Sequence, residues 1–494
     1  MMKKIICLFL TLVILAIMCA GCGKTEEPDI PDEPVPEPPV VEPYSPVYAE
    51  KLPMINIDTL DGSEITGDRT HAEYKDSTVT LSNCDAEYAF EDVTAEVKVR
   101  GNYTANYPKK PYRIRFTRKR GFLGMNDGAE CRNWVLLADY KDPSMLRNAT
   151  ANYLGQLMIN DDGYYSTDFR PVEVTVNGKY RGVYLLVEHQ QVNKNRVNVT
   201  EPEEGYTGTD IGYLLEFDWY YNESPAMENF KLDYYAPKLT TKSGSSISVS
   251  QSGYTIKSDV YSNAQRDYIK KYMTNLYEIV YRAVYEGEYM QFDDDYDIVP
   301  STYINAEETV NAVMDVHSLV NMYIFSELCA DRDVASSSFY MSVDLAEGKN
   351  DKLTFQAPWD WDSALGIMKD PDVDEPLACE KNWRSQVNPW LVILINEDWF
   401  WNMVVDRWAE LTEMKVRDSL QTLISEYTEL YVDDYAENFK KWPACMGSKI
   451  DSNVKNELLD FEVQADASAQ LSEWLAGRFE FLDEFLVEDT NVIK

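Results

Sequence analysis

The spacing of apolar residues changes part-way along this chain of 494 residues, and that change restricts the possible folds more than any other feature. Between residues 52 and 115, short runs alternate apolar with polar residues and are separated by Gly, Asp and Asn, which is typical of a mostly antiparallel sheet. Beyond residue 254, apolar residues recur with the spacing of one helix face. The sequence therefore predicts an α+β fold, with a β-rich lobe at about 51–220 and a mainly helical lobe at about 255–487.

Shorter patterns place individual elements within these two lobes. One helix is expected at 143–158, and Asn177-Gly178 is a strong signal for a β-hairpin. A stretch rich in Ser, Gly and Thr at 239–253 is predicted to be an exposed loop. Further helices are predicted at 264–285, at 306–330 and at several places between 398 and 487, and a second hairpin is predicted around Gly348-Lys349-Asn350.

The amino-terminal residues have the composition of an export signal. Two lysines precede an apolar run at 5–18 that is too short to span a membrane comfortably. The small residues before Cys22 resemble the lipobox of bacterial lipoproteins, in which this cysteine is acylated; an ordinary secretory signal is the other interpretation. We expect a signal peptide at 1–21 and a Pro- and Glu-rich linker at 22–50 that tethers residues 51–487 outside the cell membrane.

Charge and composition exclude several classes of function. The chain has 46 Lys and Arg against 84 Asp and Glu, a formal net charge of −38, which argues against nucleic acid as a partner. It has three His, and the cysteines that follow Cys22 show no CxxC spacing, which argues against a zinc site or a His-rich metal centre. A phosphate-bearing ligand would therefore need a local cluster of cations.

One segment of this acidic chain is rich in cations. It contains Arg100, Lys109, Lys110, Arg113 and Arg115. Alternation along a strand would place Lys109, Arg113 and Arg115 on one face, and Lys110 on the apolar face with Tyr112 and Ile114. A cation on an apolar face needs an anionic partner, and both a phosphate and an internal carboxylate satisfy that requirement.

Two aspartates follow a predicted strand at Trp359-Asp360-Trp361-Asp362. In an extended chain Asp360 and Asp362 would face the same side, roughly 6 to 7 Å apart, with both tryptophans opposite. Paired carboxylates suit Mg²⁺, which proteins usually hold with one or two carboxylates and substrate phosphates. A solvated pair, or a helix N-cap, is the other interpretation.

A third acidic group follows a predicted apolar helix at Asp331-Arg332-Asp333. The order of Asp333, Ser338 and Asp360 matches the order of the catalytic base and the two metal-binding residues of protein kinases. The same segment is also consistent with a helix terminus that has its own ion pair.

Seven segments in order resemble the CotH family, the spore coat protein kinases with an atypical kinase fold. They are RGN (100–102), YPKKPYRI (107–114), NWVLLADYKDPSMLRNA (133–149), NGKYRGVYLLVEH (177–189), GYLLEFD (212–218), SELCADRD (326–333) and PWDWDSALG (358–366).

The resemblance implies a two-lobed kinase-like fold, ATP and Mg²⁺ as ligands, and phosphoryl transfer to Ser or Thr of a protein, for which a Ser-rich, basic substrate is expected. Asp333 would be the catalytic aspartate, and Asp360 and Asp362 would bind the metal. The residues expected to bind the nucleotide are Lys110 (with Lys109 as second choice), Arg113, Arg147, Glu188 and Ser338.

The chain also departs from the family pattern. Tyr103 and Ala105 replace a small hydroxyl residue and a Trp in the usual RGNSTW, and Asp331 stands where Asn is common. A catalytically inactive, kinase-like surface binding or adhesion lipoprotein is therefore a second hypothesis, because fold does not fix function. A third is a glycosidase that uses paired carboxylates.

Overall fold

The computed structural model describes residues 51–68, 70–378, 380, 386–445, 454 and 461–487. The predicted signal peptide, Cys22 and the linker lie outside the described residues. No helix in the described part of the chain has both the length and the apolar composition needed to cross a membrane.

The first seven strands form a closed barrel rather than an open sheet. They are β1 (Met54–Thr59), β2 (Lys75–Ser82), β3 (Phe90–Val99), β4 (Tyr112–Arg120), β5 (Cys131–Leu137), β6 (Phe169–Val176) and β7 (Lys179–Glu188). Their spatial order is β1-β2-β3-β4-β5-β7-β6, and a parallel pairing of β1 with β6 closes the barrel. The other neighbours pair antiparallel, as the alternating pattern predicts.

Alternate residues of these strands fill the barrel. Ile55 and Ile57 of β1, Val97 of β3 and Trp134 of β5 are all completely buried in one hydrophobic cluster. The Asn177-Gly178 turn between β6 and β7 has positive φ at both residues, 50° and 69°, which is the geometry that a tight hairpin requires.

A second sheet follows the barrel in sequence, together with two small ones. The remaining strands are β8 (Gly212–Asp218), β9 (Asn229–Phe230), β10 (Lys238–Thr240), β11 (Ser246–Val249), β12 (Gly253–Ile256), β13 (Met290–Phe292), β14 (Ile298–Pro300), β15 (Phe339–Asp344), β16 (Thr354–Phe355) and β17 (Gln386–Val387). The order in the larger sheet is β16-β15-β8-β12-β9, whereas β10-β11-β17 and β13-β14 form the small sheets.

Helices dominate the second half, as predicted, and a further helix lies earlier, between β5 and β6. They are α1 (Arg147–Gly155), α2 (Asn263–Tyr281), α3 (Ala306–Val313), α4 (Val316–Cys329), α5 (Pro389–Val392), α6 (Asp398–Glu413), α7 (Val416–Leu430), α8 (Val432–Lys441) and α9 (Gln464–Val487). Single turns at Gln156–Asn160 and Arg282–Glu286 extend α1 and α2.

Two element predictions were wrong. The expected helix at 306–330 is divided into α3 and α4, because the Asp315 side chain accepts a hydrogen bond from the Ser318 N–H and begins a new helix. The expected loop at 239–253 forms β10 and β11, and Ser250 and Ser252 in it are completely buried. The Ser252 hydroxyl donates to the carbonyl oxygen of Ser336 at 2.6 Å, so this segment supports the loop that follows α4.

The strand β7 is shared by two hydrophobic cores. Tyr184 and Leu186 point into the barrel, whereas Val183, Leu185 and Val187 pack on the larger core formed by the helices and the second sheet. Because successive residues of a strand face opposite sides, one strand can serve both cores. The barrel and the helices accordingly belong to one compact unit.

Candidate active site

A cleft of about 600 Å³ lies where the ends of β3 and β8 meet the loops that follow α4 and β16. Of the residues singled out in the sequence, Asp333, Ser338, Asp360, Asp362 and Arg113 all line it. The structure thus brings together three acidic groups that are separated by up to 29 positions in the sequence.

The loop after α4 presents Asp333 to the cleft. Ala330 ends the helix with a positive φ of 47°, and a short 3-10 turn, Arg332–Ala335, follows. The carboxylate of Asp331 caps that turn by accepting the Asp333 N–H at 3.1 Å, and the Asp333 carbonyl accepts the N–H groups of Ser336 and Ser337. These bonds fix the backbone of the loop, so the Asp333 side chain has a defined direction.

The loop after β16 presents Asp360 and Asp362. The strand ends at Phe355, because Ala357 and Asp360 have positive φ values of 61° and 75°, and the expectation of a continuous extended chain up to Asp362 was therefore wrong. Both carboxylates nevertheless line the cleft. Trp361 is buried against Phe325, at 4.8 Å between ring centroids.

Two cations lie beside these carboxylates. The Lys141 Nζ is 3.6 Å from Asp362 and 3.3 Å from the Ser363 hydroxyl, and the Lys141 side chain is only 5 % exposed. Arg100 lines the same cleft and lies over the Trp359 ring at 5.4 Å. Since Trp359 is buried, its face holds the guanidinium at the carboxylate end of the cleft.

The carboxylates raise one another's pKa values. Burial, followed by repulsion from Asp362, raises the pKa of Asp360 to about 7. The same two causes raise the pKa of Asp333, and burial together with Asp333 raises the pKa of Asp331 well above its usual range. A buried acidic cluster of this kind favours a bound cation or a shared proton.

Ser338 lies close to Asp360. Its hydroxyl is 3.5 Å from the Asp360 Oδ2, and its φ of 59° turns it away from the strand β15 that begins at the next residue. The hydroxyl of neighbouring Ser337 accepts the Trp219 N–H at 3.0 Å, which connects this loop to the end of β8.

The structure corrects the assignment of Lys110. Its Nζ donates to the Ala105 carbonyl oxygen at 2.7 Å, and it does not line the cleft. Lys109 is the buried one of the pair, and it donates to the Val183 carbonyl oxygen and to the Asn438 side chain. The strand β4 starts only at Tyr112, after two prolines, so the alternation of a strand does not apply to the two lysines.

The position of Arg147 also differs from the one expected for a nucleotide-binding residue. Its guanidinium is 1 % exposed, pairs with Asp142 at 2.5 Å and donates to the carbonyl oxygen of Leu365 at 3.0 Å. It borders a smaller cavity behind the cleft, with Lys109, Asp360 and Asp362. We therefore describe Arg147 as a residue that positions the loop containing Asp360 and Asp362, since its donors are used within the protein.

Glu188 does not lie beside the cleft either. It is completely buried, pairs with Arg196 at 3.0 Å and accepts from the Tyr165 hydroxyl at 3.2 Å. A carboxylate with these partners stabilises the fold and is inaccessible to adenine, so the predicted nucleotide contact was wrong. The next two residues, His189 and Gln190, do line the cleft.

Sequence patterns alone missed several charged residues in the cleft and next to it. No role was predicted for Lys141. It is a single cation between Asp139 and Asp142, shortly after the buried strand β5, and a lone cation in that position could have indicated an ion pair. The charged residues missed within the cleft itself include Lys98, Glu216, Asp218 and Lys257. They come from different strands, and the sequence pattern carries no signal that brings them together.

The donors of this cleft fit Mg²⁺ only in part. In the described part of the chain, no group of three or more His, Cys, Asp or Glu side chains is arranged to hold a metal ion by itself. Asp360 and Asp362 supply two hard oxygen donors, which is the number that Mg²⁺ commonly takes from a protein when substrate phosphates supply others. The residues therefore fit a metal that binds together with a phosphate-bearing ligand.

A comparison with protein families identifies the chain. The CotH kinase protein family matches residues 97–464, a range that includes every residue of the cleft after Ala72. The chain belongs to the CotH kinase family. The resemblance inferred from the seven segments is thus confirmed, and the family suggests a kinase-like function.

Other comparisons add little to the family assignment. The crystal structure of the Helicobacter pylori proinflammatory kinase CtkA matches this CotH family member with 7 % sequence identity and a TM-score of 0.32. The match covers 77 % of this chain and 95 % of that chain, and a likeness of that size carries no argument about fold or function. No curated protein matches the chain.

Proposed function

We propose that this CotH family member is a lipid-anchored, extracytoplasmic protein kinase that transfers the γ-phosphate of ATP to a Ser or Thr hydroxyl of another protein. The observation that carries the proposal is the one cleft that contains Asp333, Asp360 and Asp362 together with Arg100. The buried Lys141, which borders the neighbouring smaller cavity, pairs with Asp362. Phosphoryl transfer requires mainly positioning and charge neutralisation, and these residue types supply both.

Asp333 would act on the acceptor. Its carboxylate would accept a hydrogen bond from the acceptor hydroxyl and take the proton as the new P–O bond forms and the bond to ADP breaks. Because burial and Asp362 raise the pKa of Asp333, its carboxylate is a better proton acceptor than an exposed aspartate.

Asp360 and Asp362 would hold Mg²⁺, which when bound neutralises charge on the triphosphate. Ser338, close to Asp360, would complete this side of the cleft. Arg100 would donate to phosphate oxygens, and Lys141 would keep the Asp362 carboxylate in place. Arg147 would act through Leu365 on the backbone of the same loop.

The arrangement of the chain around the cleft supports a two-lobed interpretation. The barrel and the helical region have separate hydrophobic cores, and residues from both regions line the cleft. In this proposal the barrel would be the nucleotide-binding lobe, and the loop after α4 would be the catalytic segment of the helical lobe. Acylation of Cys22 would tether the enzyme, and its replacement by Ser would release the protein from the membrane fraction.

The decisive test is transfer of labelled phosphate from γ-labelled ATP to a Ser-rich basic peptide, or to the protein itself, by the purified full chain with Mg²⁺. Asp333→Asn is expected to lower kcat by roughly 10² to 10⁴-fold while ATP binding remains. Asp360→Ala is expected to abolish Mg²⁺-dependent ATP binding. Asp406→Asn, at an exposed position of α6, is the matched control.

Two other outcomes would reject the proposal. Mg²⁺-dependent ATP binding without transfer to any acceptor would favour an inactive, kinase-like binding protein. Absence of ATP binding altogether, in a chain that unfolds cooperatively, would remove the kinase interpretation of the cleft.

A further inference from the structure

Two cations face each other across the strands next to the cleft. Lys98 of β3 and Arg113 of β4 are directly opposite partners in the antiparallel register. Like charges in that position destabilise a strand pair, whereas opposite charges stabilise it. The adjacent pair on the same face, Glu96 and Arg115, shows the stabilising arrangement, with an ion pair at 2.7 Å.

Neither Lys98 nor Arg113 has a carboxylate partner within the described residues. Arg113 donates to the amide oxygen of Asn133 at 3.0 and 3.2 Å, and Lys98 lies over the Tyr74 ring at 4.8 Å. Burial, and then repulsion by neighbouring arginines that include Arg113, lowers the pKa of Lys98. The chain has a formal charge of −38, and yet these two adjacent cations have no acidic partner. An anionic ligand bound between them would reduce their mutual repulsion.

His189 lies near Arg113, one of these two cations. It lines the cleft, and its Nδ1 is buried without a hydrogen-bond partner. Burial, followed by repulsion from Arg113 and Arg100, lowers the pKa of His189 well below its usual range. A neutral imidazole with an unused ring nitrogen can donate one hydrogen bond to an anion that the two cations attract.

The cations of this group differ from those beside the carboxylates of the cleft. Among the groups that perturb the pKa of Asp360, the cations are Arg100 and Lys141. Lys257, which also lines the cleft, already pairs with Glu216 at 2.5 Å. The cations that remain without an assigned anion are therefore Lys98 and Arg113.

We propose that Lys98, Arg113 and His189 form a second anion subsite, which binds a phosphorylated Ser or Thr of the acceptor protein close to the hydroxyl that is to be phosphorylated. The proposal rests on the proposed function, with the triphosphate assigned to the other end of the cleft. A phosphomonoester carries about −1.5 to −2 charges at neutral pH and matches two adjacent cations. A Ser-rich acceptor would then become a better substrate after its first phosphorylation.

Binding of two fluorescent peptides to the full chain tests the subsite without relying on catalysis. The peptides are Ser-rich and basic and differ only in one Ser or phosphoserine, and fluorescence anisotropy is measured with Mg²⁺ and a non-hydrolysable ATP analogue. We expect the phosphopeptide to bind at least about tenfold more tightly, as one or two charge-assisted hydrogen bonds imply. Inorganic phosphate should compete only at much higher concentration than the phosphopeptide.

Variants decide which residues are responsible. Arg113→Gln and Lys98→Gln should each reduce the preference for the phosphopeptide by about tenfold, and thermal unfolding of both shows whether they are folded. Arg115→Gln, two residues along the same strand face and already paired with Glu96, should retain the preference. Using both variants keeps the test valid if one of them fails to fold.

The outcomes separate this proposal from the kinase proposal. Equal affinity for the two peptides, or weaker binding of the ATP analogue in Arg113→Gln with the peptide preference retained, would overturn the subsite. Phosphopeptide preference in a protein that transfers no phosphate would keep the subsite and reject the kinase.

Discussion

The Lys141 ammonium lies 3.6 Å from the Asp362 carboxylate, and both side chains are largely screened from solvent, at 5 and 22 % exposure. Lys141 forms an ion pair with the acidic loop that follows β16, and it comes from a loop of the barrel half of the chain. One ion pair therefore connects the β-rich part of the protein to the loop proposed to bind the metal.

Replacement of Lys141 tests this connection. In Lys141→Met the Asp362, Asp360 and Asp333 carboxylates lose a compensating charge, so we expect phosphoryl transfer to fall by at least about 10²-fold, as for loss of a positioned electrostatic group. Lys110→Met is the control, because the Lys110 ammonium bonds to Ala105 outside the cleft. A larger loss in Lys110→Met than in Lys141→Met would contradict the geometry and restore the prediction made from the sequence.

Metal binding should depend on nucleotide. The described residues contain no cluster of three metal-binding side chains, and Asp360 and Asp362 supply only two donors. We expect Mg²⁺ alone to leave Tm nearly unchanged, and Mg²⁺ with a non-hydrolysable ATP analogue to raise it, because only the ternary complex completes the coordination. A large rise in Tm with Mg²⁺ alone would show an independent metal site.

The stability of the protein should depend on pH through Asp218, which lines the cleft. Burial, followed by repulsion from Glu216, raises the pKa of Asp218 from 3.8 to about 6. The folded state therefore holds this proton more tightly than the unfolded state. Its contribution to stability is fully present below pH 3.8 and is lost as the pH rises through about 6.

Asp218→Asn isolates this contribution. The unfolding free energy of the variant minus that of the wild type should increase from pH 4 to pH 7, by at most about 3 kcal/mol. The reason is that Asp218 of the wild type carries a buried charge only at the higher pH, and the variant lacks that charge. Urea denaturation of both proteins across this range measures the difference. A difference that does not change with pH would mean that Asp218 titrates alike in the folded and unfolded states.

The ion pair between Glu327 and Arg478 should be important for stability. Both side chains are completely buried, and the Arg478 guanidinium also donates to the Glu327 carbonyl oxygen in the last turn of α4. Arg478→Met leaves Glu327 buried without its cation and should lower the unfolding free energy by about 3–5 kcal/mol. The exposed pair of Arg417 and Glu480 is the control, since Arg417→Met should change stability by less than about 1 kcal/mol.

Local patterns in the sequence predicted the fold class well. The change from strand to helix periodicity predicted a mixed α+β fold, and Asn177-Gly178 predicted the hairpin of β6 and β7. Closure of the barrel was not predictable in this way, because the parallel pairing of Met54 with Glu173 joins residues far apart in the sequence.

Site residues could be predicted where the order of motifs along the chain was enough to identify them. They could not be predicted where contacts with residues distant in sequence decide the role of a side chain. Asp333 and Asp360 were identified by their order along the chain, and the structure places both in one cleft. The role of Glu188 depends on Arg196, which neutralises it inside the fold, and no strand or helix pattern encodes that pairing. Lys110 was misplaced because strand alternation was extended across prolines.

The position of β1 has a mechanical consequence. This first strand is hydrogen-bonded on both sides, from Met54 to Thr59 against β2 and from Met54 to Ile57 against β6. Tension applied to the chain ahead of Met54 would be shared by many hydrogen bonds loaded together along the strand axis, instead of breaking them one at a time. A domain held from this end could withstand drag or pulling without opening the barrel.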